Sequence, residues 1–230
     1  MPFSKQWESV YSQQEHLSTW PWSKVVSLFH RFAPKPVGPE YQVLELGCGA
    51  GANIPFFESL GVDYKAVEGS RHVVDKLHQR YPHLKDRIVV GDFTQSIPFE
   101  GQFDLILDRG SLIANPLNEI SQTLRSCAQR LKPHGLYLGT DWFSTECDAS
   151  GQGKPVDGNE ATRTDIEEGP LSKIGTVHFF HEEELRKVLS PLKIKFIEKQ
   201  ATTEELEGGR RRLTTVWNFV LQKPAQALSV

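Results

Sequence analysis

The residues with the most chemistry in them lie between positions 43 and 141 of the 230. Val43-Leu44-Glu45-Leu46-Gly47-Cys48-Gly49-Ala50-Gly51-Ala52-Asn53 runs from an apolar stretch into a glycine-rich turn. Such a turn lets the backbone approach a ligand closely, and a helix that follows aims its first N–H groups at it. Glu68 follows Gly47 by 21 positions, inside Ala66-Val67-Glu68-Gly69-Ser70. A carboxylate at the end of a second strand can accept hydrogen bonds from both hydroxyls of a ribose. Gly47, Cys48, Gly49, Gly51, Glu68, Gly69 and Ser70 together read as a nucleoside-binding half-site. Further on come Asp108-Arg109 and Asp141-Trp142-Phe143. An Asp beside an Arg at a sheet edge orients a polar acceptor or removes its proton. Asp108 and Asp141 are therefore the candidate catalytic carboxylates, with Arg109, Trp142 and Phe143 as candidate substrate contacts. A strand-capping Asp141 beside core aromatics fits the same residues.

The glycine spacing narrows the nucleoside. Dinucleotide folds read Gly-x-Gly-x-x-Gly, whereas this turn reads Gly-x-Gly-x-Gly with Glu45 two positions before the first glycine. Here the chain resembles the class I S-adenosylmethionine-dependent methyltransferases. The resemblance continues in register. Glu68 matches the ribose acid. Gly91-Asp92-Phe93 matches the segment whose acid faces the adenine amino group. The segment 103–108 matches the fourth strand, and Leu131-Lys132-Pro133-His134-Gly135-Leu136 the turn into the fifth. Within 107–114, Asp108-Arg109-Gly110 also looks like the corresponding segment of thiopurine S-methyltransferases, a likeness too local to carry a substrate across.

The resemblance implies S-adenosylmethionine as cofactor, S-adenosylhomocysteine as product, and methyl transfer to an acceptor. It implies cofactor contacts from Glu45, Asp92, Phe93 and Asp108 beside those of the half-site. Glu45 would complement the positive charge of the sulfonium and amino group, although a strand-end hydrogen bond would suit it equally. Helices before the first strand often form a lid in this family, which makes His16 a candidate substrate contact beside Trp20-Pro21-Trp22. Two other functions fit parts of the pattern: a nicotinamide (NAD)-dependent oxidoreductase of Rossmann fold, and a protein that binds S-adenosylmethionine without transferring its methyl group.

These residues need a sheet to hold them. Short apolar segments at 42–46, 63–67, 87–90, 103–108 and 136–141 alternate with helix-like stretches at 54–59, 71–81 and 118–131. That alternation predicts parallel strands covered by helices on both faces. Segments 194–198 and 213–221 read as two final strands, and the link 200–212 is too short for a crossover helix, so they pair antiparallel. The expected fold is α/β: a Rossmann-like seven-stranded sheet, mostly parallel with the last strand antiparallel, in an α/β/α sandwich. A helical cap or lid over 1–39, with a short helix at 7–15, precedes a cofactor core over 40–141. An acceptor-side loop and C-terminal strands over 142–230 complete a single domain. The stretch 142–175 reads as a long loop that, with 200–212, covers the acceptor pocket.

Composition excludes several classes. Three cysteines form neither a disulfide framework nor a zinc motif. His178 and His181 have metal-ligand spacing without supporting carboxylates or cysteines, so no metal is expected. A net charge of −3 argues against a broad nucleic-acid face. No apolar run approaches a membrane span. The expectation is a cytoplasmic enzyme with a small-molecule acceptor and neither nucleic-acid nor membrane partners. Arg210-Arg211-Arg212 would either grip an anionic acceptor or form a solvated hairpin.

Overall fold

The computed structural model describes residues 8, 11 and 18–225. The helix expected at 7–15 falls largely outside them, although Glu8 and Tyr11 are helical, and His16 lies outside altogether. The chain continues with α1 (Ser23–Phe32), β1 (Gln42–Leu46), α2 (Ile54–Ser59), β2 (Asp63–Glu68), α3 (Arg71–Arg80), β3 (Ile88–Val90), β4 (Phe103–Arg109), α4 (Leu117–Arg130) and β5 (Leu131–Phe143). Three short strands follow, β6 (Lys154–Val156), β7 (Asn159–Thr164) and β8 (Val177–His178). The order ends with α5 (Glu182–Leu189), β9 (Lys193–Glu205) and β10 (Arg211–Gln222).

Seven strands form one sheet in the order β3-β2-β1-β4-β5-β10-β9. Strands β1 to β5 are mutually parallel, and β10 runs antiparallel to both β5 and β9. The last strand is thus the reversed one, as expected, and it lies inside the sheet. Apolar side chains alternate between the faces. Leu44 and Leu46 pack with Ile120, Leu124 and Leu185, from α4 and α5. Val43 packs on the other side with Phe29, Phe57 and Val73, from α1, α2 and α3. The helices follow from their sequence. In α4, Ile120, Thr123, Leu124 and Cys127 are buried at helical spacing. In α3, the Ser70 hydroxyl accepts from the Val73 N–H at 3.2 Å and caps the helix. In α5, three glutamates occupy the first turn and Arg186 and Lys187 the last, which suits the helix dipole.

Two expectations need correction. The stretch 142–175 is not a loop. Trp142 and Phe143 complete β5, and β6, β7 and β8 form a small antiparallel sheet. That sheet is tied to β5 through the Phe180 N–H, which donates to the Phe143 carbonyl at 2.8 Å. The Gly and Asp residues that suggested a loop sit in its turns: Gly153, Asp157, Gly158 and Asp165 all have positive φ. The link 200–212 is also not a loop. β9 and β10 pair continuously from Glu205–Arg211 to Lys193–Gln222, apart from one shifted step, and form a long ribbon. Thr202, Thr203, Thr214 and Thr215 favour strand there, so the ribbon outruns the apolar segments that marked it. Among the described residues, no helix is long and apolar enough to cross a membrane.

Candidate active site

The five parallel strands end on one cavity of about 440 Å³. Gly47 after β1, Glu68 at the end of β2, Asp92 after β3, Arg109 at the end of β4 and Phe143 at the end of β5 all line it. This is where open α/β sheets bind ligands, because the strand order reverses on either side of β1.

On the β1–β3 side, carboxylates and backbone N–H groups interlock. Glu68 is buried, and its two oxygens accept from Gly49 N–H at 2.8 Å and Ser70 N–H at 2.9 Å. The Gly69 N–H adds to their pull, and a carboxylate offers about four lone-pair sites, so these N–H groups do not take them all. Burial raises the Glu68 pKa, against the opposing pull of those N–H groups. Glu45 is also buried, and takes the Tyr64 hydroxyl at 2.6 Å and Asn53 Nδ2 at 2.8 Å. Burial pushes its pKa up to about 7, more than those two hydrogen bonds pull it down. Asp92 accepts from the Thr94 N–H and hydroxyl through Oδ1, whereas its Oδ2 is buried with no hydrogen-bond partner among the described residues. An orphaned carboxylate oxygen at a cavity wall calls for a donor from a ligand. Gly47 has φ +65°, and a Cβ there would sit 2.5 Å from the Ser111 Cβ, so no side chain fits.

On the β4–β5 side the contacts run between side chains. Arg109 Nε lies 2.7 Å from Asp141 Oδ2, and the guanidinium stands 3.7 Å from the centre of the Trp22 ring. Asp141 has φ +57°, a costly conformation for a residue with a Cβ, and its N–H donates to Asn218 Oδ1 at 3.0 Å. Leu171, Ile174 and Val177, from the segment around the small sheet, supply apolar wall.

Of the residues singled out from sequence, Glu45, Gly47, Cys48, Gly49, Glu68, Gly69, Asp92, Phe93, Arg109, Asp141 and Phe143 line the cavity. Four do not. Asp108 is fully buried and accepts from Ser111 N–H, Leu112 N–H, the Ser111 hydroxyl and Trp142 Nε1. Trp142 is fully buried too, stacked on Phe180. The reason is strand geometry: neighbours on a strand point to opposite faces, so Arg109 reaches the cavity and Asp108 cannot. Asp108 and Trp142 instead hold β4 to β5 from beneath, at 2.5 Å. Gly51 lies behind the turn, where a Cβ would meet Ile54 and Leu77 at 2.7 Å. Ser70 is buried as the cap of α3.

Sequence reasoning did not single out Tyr11, Asn53 or the partnership of Trp22 with Arg109. Asn53 takes the Trp22 N–H at 3.2 Å through its Oδ1 while donating to Glu45, so it joins the two sides. The one signal available was its position directly after the glycine turn.

Residues 43–135 match the family model described as a methyltransferase domain. That segment is similar to a methyltransferase domain, and the sheet around it has the fold that solved S-adenosylmethionine-dependent methyltransferases share. Two curated relatives overlap it. The ribosomal RNA small subunit methyltransferase A of Parabacteroides distasonis is 42% identical over 67 residues, 28% of this chain and 25% of that protein. The cypemycin N-terminal methyltransferase of a Streptomyces species is 33% identical over 95 residues, 40% of this chain and 38% of that protein. The matches thus span well under half of either relative. A solved S-adenosylmethionine-dependent methyltransferase from Methanosarcina mazei shares the fold, with a TM-score of 0.65 at 17% identity. It covers 86% of this chain and 98% of its own. The methyltransferase domain defined by the family model ends before β5 is complete, so Asp141, the small sheet and the ribbon lie outside the match.

Proposed function

We propose that the protein transfers a methyl group from S-adenosylmethionine to a small organic acceptor. The observation that carries this is the shared cavity. Glu68 and the open oxygen of Asp92 lie on one side of Gly47 in the strand order, and the Arg109–Asp141 pair lies on the other. In this reading Glu68 takes the ribose hydroxyls, Asp92 Oδ2 takes the adenine amine, and the Phe93 backbone N–H donates to the ring. Glu45 provides negative charge towards a cationic ligand. Bound S-adenosylmethionine supplies an already activated methyl group on a sulfonium. The chain has to position the acceptor in line and exclude water. Leu171, Ile174 and Val177 exclude water. Asp141, held by Arg109, orients the acceptor or takes its proton.

A concave, partly apolar cavity favours a small acceptor over a polymer laid on a surface. The two curated relatives are named for a ribosomal RNA and for the N-terminus of cypemycin, which leaves those acceptor types as the competing possibilities. The whole chain is read as one unit, with 142–230 serving the acceptor.

The test is calorimetric binding of S-adenosylhomocysteine and of NAD, followed by turnover to S-adenosylhomocysteine against a panel of small acceptors, a short RNA and a peptide. Turnover on a small acceptor supports the proposal. Turnover confined to RNA or peptide moves the acceptor class, and tight product binding without turnover on any acceptor leaves a binding protein. NAD binding in place of S-adenosylhomocysteine would overturn the reading entirely.

A further inference from the structure

A second cavity, of about 270 Å³, adjoins the first. The two share Phe143, Pro170 and Leu171 as a common wall. In the methyl-transfer reading the larger cavity holds the donor and the acceptor's reacting atom. The smaller one is the adjoining space.

Its other wall is the tip of the β9–β10 ribbon, including Arg210, Arg211 and Arg212. The tip is a built structure. Leu206 N–H donates to the Arg210 carbonyl at 2.7 Å, and Gly209 N–H donates to the Leu206 carbonyl at 3.1 Å. Leu213 N–H donates to Asp148 Oδ2 at 2.7 Å, which ties the ribbon to the turn after β5. Glu204 holds Arg212 across the ribbon, at 2.8 Å from Nε and 2.7 Å from Nη2. The Arg212 side chain then lies against Gly169, where a Cβ would come within 3.3 Å of Nη1.

The tip carries Glu204, Glu205 and Glu207 opposite the three arginines, but only Glu204 is ion-paired with one of them among the described residues, and none of these three acids lines the cavity. Glu204 answers Arg212, and Asp148 is engaged by a backbone N–H. Glu168 is the other acid on the wall. Arg210 and Arg211 have no side-chain hydrogen bond or ion pair with any described residue. Consecutive cations repel, and a freely solvated ribbon would not line a cavity with them. Phe143, Leu171, Leu206 and Leu213 give that cavity apolar walls, which strengthen any ion pair formed inside it. Guanidinium forks match the planar or tetrahedral oxygens of carboxylates and phosphates.

We propose that this second cavity is an oxyanion subsite, in which Arg210, Arg211 and Arg212 hold a carboxylate or phosphate carried by the methyl acceptor. The inference rests on the methyl-transfer reading above and narrows its acceptor to an anionic small molecule. A concave site on a chain of net charge −3 suits one anionic group better than a polyanion.

The experiment uses the full chain saturated with S-adenosylhomocysteine, whose own binding is measured first. Inorganic pyrophosphate and citrate are then titrated separately by calorimetry into wild type, Arg210→Ala/Arg211→Ala and the charge-matched control Arg186→Ala/Lys187→Ala on α5. All four side chains are exposed, and melting curves confirm folding. Wild type should bind at least one anion. The Arg210/Arg211 variant should bind at least about tenfold more weakly, as loss of a charge-assisted hydrogen bond requires, and the control should match wild type. A response to pyrophosphate alone points to a phosphate ester, and one to citrate alone to a carboxylate. No anion binding, or equal loss in the control, overturns the subsite. A short RNA that binds more tightly than either anion, and loses that binding in the Arg210/Arg211 variant, also overturns it in favour of nucleic acid. Failure of S-adenosylhomocysteine to bind in the first step counts against the methyltransferase reading, which separates the two failures.

Discussion

The two sides of the cavity are built differently. On the β1–β3 side, buried carboxylates meet backbone N–H groups in the turns that follow the strands, as Glu68 does with Gly49 after β1 and Ser70 after β2. On the β4–β5 side, long side chains from distant parts of the chain meet each other, as Trp22, Arg109 and Asp141 do. The first kind of site is fixed by the path of the backbone, which suits a constant ligand. The second can change by substitution without disturbing the sheet, which suits the part of an enzyme that selects an acceptor.

The sharpest test of that division is Glu68→Ala. It should cost about 3 kcal/mol of S-adenosylhomocysteine affinity by calorimetry, more than a hundredfold, as two lost hydrogen bonds to a charged group suggest. Unchanged affinity would remove the ribose assignment. Next in size, Asp141→Asn should lower turnover roughly a hundredfold while leaving that affinity intact. Equal losses in binding and turnover would show that the two sides are not separable. Asp108→Asn should behave as neither. It removes a buried, fully satisfied acceptor, so it should lower stability by about 2 kcal/mol in denaturant melts and leave the donor's affinity near wild type.

The smallest effect is one of pH. Glu45 has its pKa raised to about 7 by burial. Its ordinary value is lower, so the folded chain prefers the protonated acid, and this contribution to stability fades as pH rises through about 7. A cationic ligand in the cavity favours the ionised form. S-adenosylmethionine should therefore bind about tenfold more tightly at about pH 8 than at about pH 6. Neutral S-adenosylhomocysteine should show less of this trend, and Glu45→Gln should flatten it. A slope that persists in Glu45→Gln assigns the proton to another group.

The same division governs what could be read in advance. The glycine turn, Glu68 and Asp92 were legible because their spacing along the chain is their spacing in space, one strand and one turn apart. The parallel part of the sheet was legible for a similar reason, since β1 to β4 are short apolar runs, most of them followed by a helix. The acceptor side was not. Asp108 and Arg109 are adjacent in sequence and face opposite ways, and nothing in the string says which one reaches the cavity. Trp22 meets Arg109 only through the fold. The small sheet at 154–178 was hidden because its strands are two to six residues long and polar, with turn residues between them.

The position of β10 bears on how the molecule is made. It is the last described strand to leave the ribosome, yet it sits between β5 and β9, hydrogen-bonded to both. Until it arrives, β5 has an open edge and β9 has no neighbour. The parallel half of the sheet can assemble during synthesis, with the glycine turn, Glu68 and Asp92 already in place. The half around β5 cannot, because Asp141 depends on Asn218 for its backbone partner and the arginine tip exists only as part of the ribbon. In the proposed reading, a nascent chain would gain the half that binds the donor long before it could act on anything, and would expose an unpaired strand edge in the interval.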